Sequence, residues 1–180
     1  MKHVSFLFIL LLSNILIGQE FHTEYHYPTN AGESILIQNS YPKGGLDYTD
    51  AYGKTYAYFV FWTQVTNKTS KPLQLSVDFP LETSSVNPTY FQLYVPEISM
   101  TLENIQKFDY GLDVSAYLNQ QLGQKSDKVT HIAPGKTSMF YVVALSEERI
   151  SGVARAGFQL EGKQLVYTIN TQKTNSGTLQ

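Results

Sequence analysis

Apolar and polar residues alternate most cleanly in the stretch 73–79, where Leu73, Leu75, Val77 and Phe79 take one parity and Gln74, Ser76 and Asp78 the other. Successive side chains of a strand point to opposite faces, so this pattern predicts a strand with one covered and one wet side. The stretch before it is different. From Tyr56 to Val65 both parities are apolar, with Tyr56, Tyr58, Val60 and Trp62 on one and Ala57, Phe59, Phe61 and Val65 on the other. Residues 138–145 repeat this, with Met139, Tyr141, Val143 and Leu145 on one parity and Phe140, Val142 and Ala144 on the other. Two strands that need cover on both faces are expected to be neighbours in the middle of one sheet. Between Val65 and Leu73, the polar run Asn67-Lys68-Thr69-Ser70-Lys71-Pro72 predicts a turn, so that 56–79 reads as a central hairpin.

The rest of the chain fits around that centre. Residues 19–33 are polar with scattered aromatics and a turn signal at Tyr27-Pro28-Thr29-Asn30-Ala31-Gly32, giving a lead-in segment or an edge strand. Ile35, Leu36 and Ile37 mark the first strand; Pro42-Lys43-Gly44-Gly45 breaks it, and 46–54 reads as a loop. Phe91, Leu93 and Val95 alternate with Tyr90, Gln92 and Tyr94 in a further strand. The period then changes: Leu102, Ile105 and Phe108 after Thr101, and Ala116, Tyr117 and Leu118 after Asp113, have helical spacing, so 101–122 is a helical insertion and the candidate lid of the doubly apolar strands. Strands return near 129–132, 138–145, 152–160 and 164–170, the last two joined by a tight turn at Glu161-Gly162-Lys163. Residues 171–180 carry few apolar side chains and read as a disordered tail. The sum is a mainly β domain over 34–170, an immunoglobulin-like antiparallel β-sandwich with a short helical insertion.

A strand, Asn67-Lys68-Thr69, Pro72-Leu73 and a second strand, followed much later by Pro134-Gly135 leading into an aromatic strand, resembles the layout of bacterial exported immunoglobulin-like β-sandwich modules. The likeness covers about 34–170 and carries no functional residue with it. Antibody-type domains pack a cysteine pair on their tryptophan; this chain has no cysteine, so Trp62 as a core aromatic is all that the likeness retains.

Length and charge narrow the function classes. The 180 residues are enough for one domain with its own core. Lys2 and His3 followed by an apolar run over 4–17 read as a secretory signal over 1–18, shorter and more interrupted than a membrane span; an uncleaved N-terminal anchor is the other reading of the same run. Export to periplasm, cell surface or medium is therefore expected, with no stable membrane span once the signal is removed. There are 13 Lys+Arg against 15 Asp+Glu, leaving 12 against 15 without Lys2. Neither a nucleic-acid footprint nor a polybasic patch is present. Without cysteine no disulfide supports the fold and no lipid-anchoring cysteine exists.

Candidate chemistry is sparse. Gly53-Lys54-Thr55 and Gly135-Lys136-Thr137 lack the glycine five positions earlier that a phosphate loop requires, with Tyr48 and Thr130 in that place, and read as turns. His22, Glu24 and His26 have metal spacing only on a helix, and His131 lies far away in sequence; Asp47, Asp50, Asp78 and Glu82 offer oxygens for calcium but no binding-loop pattern. No metal and no cofactor is expected. Asn67-Lys68-Thr69 matches a glycosylation sequon but fits a turn better. The close carboxylate pairs, Glu147-Glu148 and Asp109 with Asp113, suit strand ends and helix capping more than catalysis.

Tyrosine is the remaining signal. Thirteen are present, and Tyr41, Tyr48, Tyr52, Tyr90, Tyr94 and Tyr110 fall in expected loops or on the wetter parity. Tyrosine gives rigid amphipathic contact area, so Tyr48, Tyr52, Tyr90 and Tyr94 are the candidate binding residues. The expectation is a non-catalytic exported module of the cell envelope that recognises a protein or a glycan through aromatic-rich loops. The alternatives are a structural module pairing through a sheet edge, and a small carbohydrate-active or other hydrolase with a carboxylate site.

Overall fold

The computed structural model describes residues 21–29, 32–81 and 90–180; residues 1–18, read above as a secretory signal, and Glu82 fall outside them. The strands are β1 (Phe21–Pro28), β2 (Ser34–Ser40), β3 (Lys43–Thr49), β4 (Thr55–Lys68), β5 (Leu73–Phe79), β6 (Phe91–Tyr94), β7 (Ser126–Ile132), β8 (Thr137–Ser146), β9 (Ala156–Glu161), β10 (Gln164–Ile169) and β11 (Gln172–Leu179). The protein is mainly β. One antiparallel sheet runs β1-β2-β4-β8-β6 with β3 also paired to β4, and the other runs β7-β5-β11-β10-β9.

β4 and β8 lie side by side in the middle of the first sheet, in register from Ala57 opposite Ser146 to Thr66 opposite Thr137. Both parities are buried, for the reason that the pattern implied. Phe61, Val65, Phe140, Val142 and Ala144 face the second sheet and meet Leu75, Val77, Phe79, Phe158 and Tyr167 in the core between the layers. On the reverse face Tyr56, Tyr58, Val60, Trp62, Tyr141, Val143 and Leu145 are covered by Met100 and by Ile105, Tyr110, Leu112, Val114 and Leu118 of the insertion. Burying each of these larger side chains contributes about 1.5–3 kcal/mol, so the insertion stabilises the sheet as well as decorating it. It holds two 3-10 turns, Leu102–Asn104 and Phe108–Gly111, and one α-helix, α1 (Val114–Gln121), whose N-cap Asp113 accepts from the Ala116 amide at 2.9 Å. Trp62 is buried under the insertion, not between the sheets where an antibody-type tryptophan packs.

Four expectations need correction. The stretch 56–79 is not a hairpin: β4 belongs to the first sheet and β5 to the second, and the turn residues between them carry a crossover. Asn67 holds that crossover. Its amide donates to the carbonyls of Lys71 and Ile132, both at 2.8 Å, and its oxygen accepts from the Thr69 amide and hydroxyl. With that side chain buried and fully used, the sequon is a structural device in the fold.

Residues 46–54 are also not a continuous loop. β3 extends the line of β2 along the same side of β4; where Pro42 interrupts it, the Ser40 hydroxyl accepts from the Trp62 amide at 2.8 Å. Gly44 is required there, because a Cβ would lie 2.8 Å from the Tyr58 carbonyl.

The third correction concerns 171–180, which is not a disordered tail. β11 sits between β5 and β10 in the second sheet, pairing Gly177 with Val77 and Thr174 with Tyr167. Its apolar side chains are few because the inward positions are Thr174, Ser176 and Leu179, small enough for a tight layer.

The fourth concerns Asp109, expected to start a helix. It is buried at φ 43°, followed by Tyr110 at φ 55°, and its carboxylate accepts from the Tyr58 hydroxyl at 2.6 Å.

The open sides of the two-layer core are closed by side chains reaching from one sheet to the other. Asn39 of β2 accepts from the Phe158 amide at 2.9 Å and donates to its carbonyl at 3.1 Å. The Tyr27 hydroxyl accepts from the Leu160 amide at 2.9 Å. On the other side Gln172 accepts from the Phe91 amide at 2.8 Å and donates to its carbonyl at 3.0 Å. The Ser126 hydroxyl takes both main-chain groups of Val95, at 2.7 and 3.1 Å. The amides of Phe91, Val95, Phe158 and Leu160, which would otherwise template another strand, are satisfied within the chain.

Candidate functional site

α1 is positioned by Val114 and Leu118, buried in the reverse core. Tyr117, Gln120 and Gln121 lie three and four residues apart and share the flank beside that seam. They face the start of β7. A groove of about 240 Å³ runs there, lined by Tyr117, Gln120 and Gln121 on one wall, Glu97 and Ile98 on another, and Lys125 to Asp127 between. Such a volume is small for a ligand site and suits one ring or one side chain at a time.

The walls are tied together. Ser126 locks the main chain of Val95, as described above, and the Tyr94 hydroxyl accepts from the Gly123 amide at 3.2 Å, fixing the chain as it leaves α1. Tyr94 packs edge-on against Tyr117, with ring centres 6.5 Å apart at 82°. Burial raises the Tyr117 pKa, the neighbouring Ser126 hydroxyl opposing this, so Tyr117 meets a ligand as a neutral phenol. Lys125 is drawn to Asp78 at 3.2 Å, and Lys128 donates to the Glu97 carbonyl at 2.7 Å. The lining combines an aromatic ring, two amides, the Lys125 ammonium and two acidic residues, while the Ser126 hydroxyl is already taken by Val95. That set hydrogen-bonds a polyhydroxylated ligand well. Glu97 and Asp127 also bring two acidic residues to the lining, though both are exposed and lack the apolar pocket that separates an acid from a base.

The four expected tyrosines do not form one wet patch. Tyr48 and Tyr94 are buried in the reverse core, Tyr48 donating to Asn119 at 3.0 Å. Tyr52 is 96% exposed at the tip of the β3–β4 turn. Tyr90 is half-buried beside a separate hollow of about 380 Å³ near Ile169 to Lys173. Tyr117 was legible only as a helix residue, and its use as a groove wall depends on β7 arriving beside α1.

The other candidates disperse. His26 holds Glu24 at 2.7 Å, which with Gln38 lowers the Glu24 pKa, while His22 stacks on Tyr41 and His131 lies in the other sheet. Asp47 pairs with Arg149 at 2.8 Å, and Asp50 caps its own turn through the Tyr52 and Lys54 amides. Among the described residues no three histidine, aspartate or glutamate side chains gather as a metal group, and no helix is long and apolar enough to cross a membrane. Glu147 pairs with Lys54 at 2.5 Å. No protein family, curated protein or solved structure matches this chain. The chemistry of the site therefore has to be taken from its geometry.

Proposed function

We propose that the protein is an exported, non-catalytic binding module of the cell envelope, immunoglobulin-like in architecture, that recognises a glycan in the groove between α1 and β7. The observation that carries this is the lining itself: Tyr117 beside Gln120, Gln121, Lys125, Glu97 and Asp127, on walls fixed by Ser126 and Tyr94. A rigid aromatic ring with converging donors and acceptors is what a sugar needs, and such sites gain affinity from preorganisation. The immunoglobulin-like assignment is supported by the connections from β4 to β9, each of which passes from one sheet to the other. Export is supported by the leader pattern at 1–18. Pairing of a partner strand at β6 or β9 is less favoured, because main-chain groups of Phe91, Phe158 and Leu160 there are already occupied by side chains.

The test is a glycan-binding screen of the purified mature chain beside a Tyr117→Ala variant of equal melting temperature. Binding lost in the variant supports the groove; binding retained contradicts it. A second reading, a small hydrolase using Glu97 and Asp127, is checked in the same experiment by assaying reducing ends: turnover that disappears in Glu97→Gln would replace the binding reading.

A further inference from the structure

Independently of what the groove binds, we infer that two copies of the chain pair antiparallel along β7, joining their second sheets across a two-fold axis at Val129. β7 stands at one end of the strand order, so no described strand pairs with its outer side. Gln74 exchanges both main-chain bonds with Gln180, at 2.7 and 3.0 Å, so Gln74, Ser76 and Asp78 turn their main-chain groups to β11 and the alternate residues of β5 bond β7. By the same alternation Asp127, Val129 and His131 direct their N–H and C=O groups outward.

The other edges are guarded. Side chains take the amides of Phe91, Phe158 and Leu160 on β6 and β9. β1 shifts register between Phe21 and Thr23 and ends on Pro28, which has no amide to donate, and β3 shifts between Gly44 and Leu46. β7 pairs with β5 without a shift, contains no proline and presents Val129, 56% exposed, at its middle. Lys128, on the face of the buried Ser126 and Ile132, is held by the Glu97 carbonyl at 2.7 Å and does not bar the edge.

Charge selects a second copy as the occupant. With the axis at Val129, Asp127 of each copy lies opposite His131 of the other, and each of the three facing pairs exchanges two main-chain bonds. Registers shifted by two residues would set Asp127 against Val129 or Ala133 instead. Asp127 stands beside Asp78 of β5, a like-charge neighbour, and the Lys125 ammonium lies on Asp78 at 3.2 Å. Among the described residues neither Asp127 nor His131 has an ion pair of its own.

Sedimentation equilibrium of the full mature chain at rising concentration should show a monomer passing to a dimer. Val129→Lys sets two ammonium groups against each other on the axis and should raise the dissociation constant at least about tenfold. His131→Glu should weaken the dimer, and adding Asp127→Lys to it should restore pairing with the charges exchanged. All three positions are exposed, and a melting curve confirms that each variant is folded. Because the chain has no cysteine, Val129→Cys gives a direct readout: the axis brings the two thiols together, so a disulfide dimer should form under mild oxidation well ahead of Tyr52→Cys, at the 96% exposed turn tip. A monomer at every concentration, a dimer indifferent to Val129→Lys or to His131→Glu, or crosslinking of Val129→Cys no faster than that of Tyr52→Cys overturns the inference. Tyr117→Ala should leave the dimer intact, so the failure of either reading leaves the other standing.

Discussion

The side chain of Asn39, in β2 of one sheet, makes a two-way pair with the main chain of Phe158, in β9 of the other: Phe158 N–H to Oδ1 at 2.9 Å and Nδ2 to Phe158 O at 3.1 Å. The remaining capacity of the amide is met by the hydroxyls of Thr63 and Thr23, at 2.9 and 3.0 Å. A primary amide is the side chain closest to a peptide group, so Asn39 acts as one extra rung joining two sheets that have no ladder between them. Gly157 leaves the room, since a Cβ there would lie 2.7 Å from the Asn39 amide.

Asn39→Ala should therefore cost about 2–4 kcal/mol, because it strands two main-chain groups of Phe158 beside the core. Asn39→Asp should be nearly as costly, as a carboxylate cannot donate to the Phe158 carbonyl. Urea unfolding measures both. Uncovering the β9 edge should also raise self-association, read by sedimentation.

Residues 171–180 should be indispensable. A chain ending at Asn170 loses the strand between β5 and β10, and is expected to be unfolded by circular dichroism. The milder Gly177→Ala should destabilise by about 3 kcal/mol or more, since Gly177 has φ 121° and a Cβ would run into the Ser76 carbonyl.

Alkaline pH should unfold the protein through its buried phenols. Burial raises the pKa of Tyr58, Tyr141 and Tyr167, with the Asp109 carboxylate adding to the effect at Tyr58. Each phenol ionises more readily in the unfolded chain than in the fold. The stability it lends is whole below about pH 10 and falls as pH rises beyond that value. Ultraviolet titration should show these tyrosines ionising only as the fold is lost; smooth ionisation in a folded chain would contradict the assignment.

Tyr58→Phe should cost about 1–3 kcal/mol, because it removes the donor to the buried Asp109 carboxylate. The effect should shrink in a double cycle with Asp109→Asn, measured by thermal unfolding. Lys43 anchors the same loop by donating to the Ile105 and Lys107 carbonyls, both at 2.6 Å, so Lys43→Met should loosen the insertion and speed amide exchange over 105–111.

What the sequence revealed follows from how each strand is buried. β4 and β8 were legible because large apolar residues on both parities leave only one place for them, the covered middle of a sheet. β11 was hidden because Thr174 and Ser176 are inward positions with polar side chains, and a tight layer selects small size over hydrophobicity. The crossover after Lys68 was hidden because Asn, Ser and Pro serve a hairpin and an inter-sheet turn equally well. Asp109 escaped because its partner, Tyr58, is distant in sequence. Tyr48 and Tyr94 looked wet because sequence position alone does not show that the insertion lies over them; the same packing brings Tyr117 to a groove wall that no local motif marks.

The most direct measurement is backbone amide shift mapping of the mature chain titrated with a glycan that it binds. The account predicts perturbations concentrated at Glu97, Tyr117, Gln120, Gln121 and Asp127. Shifts centred instead on Tyr52 or on the hollow beside Tyr90, with the α1–β7 groove silent, would contradict it.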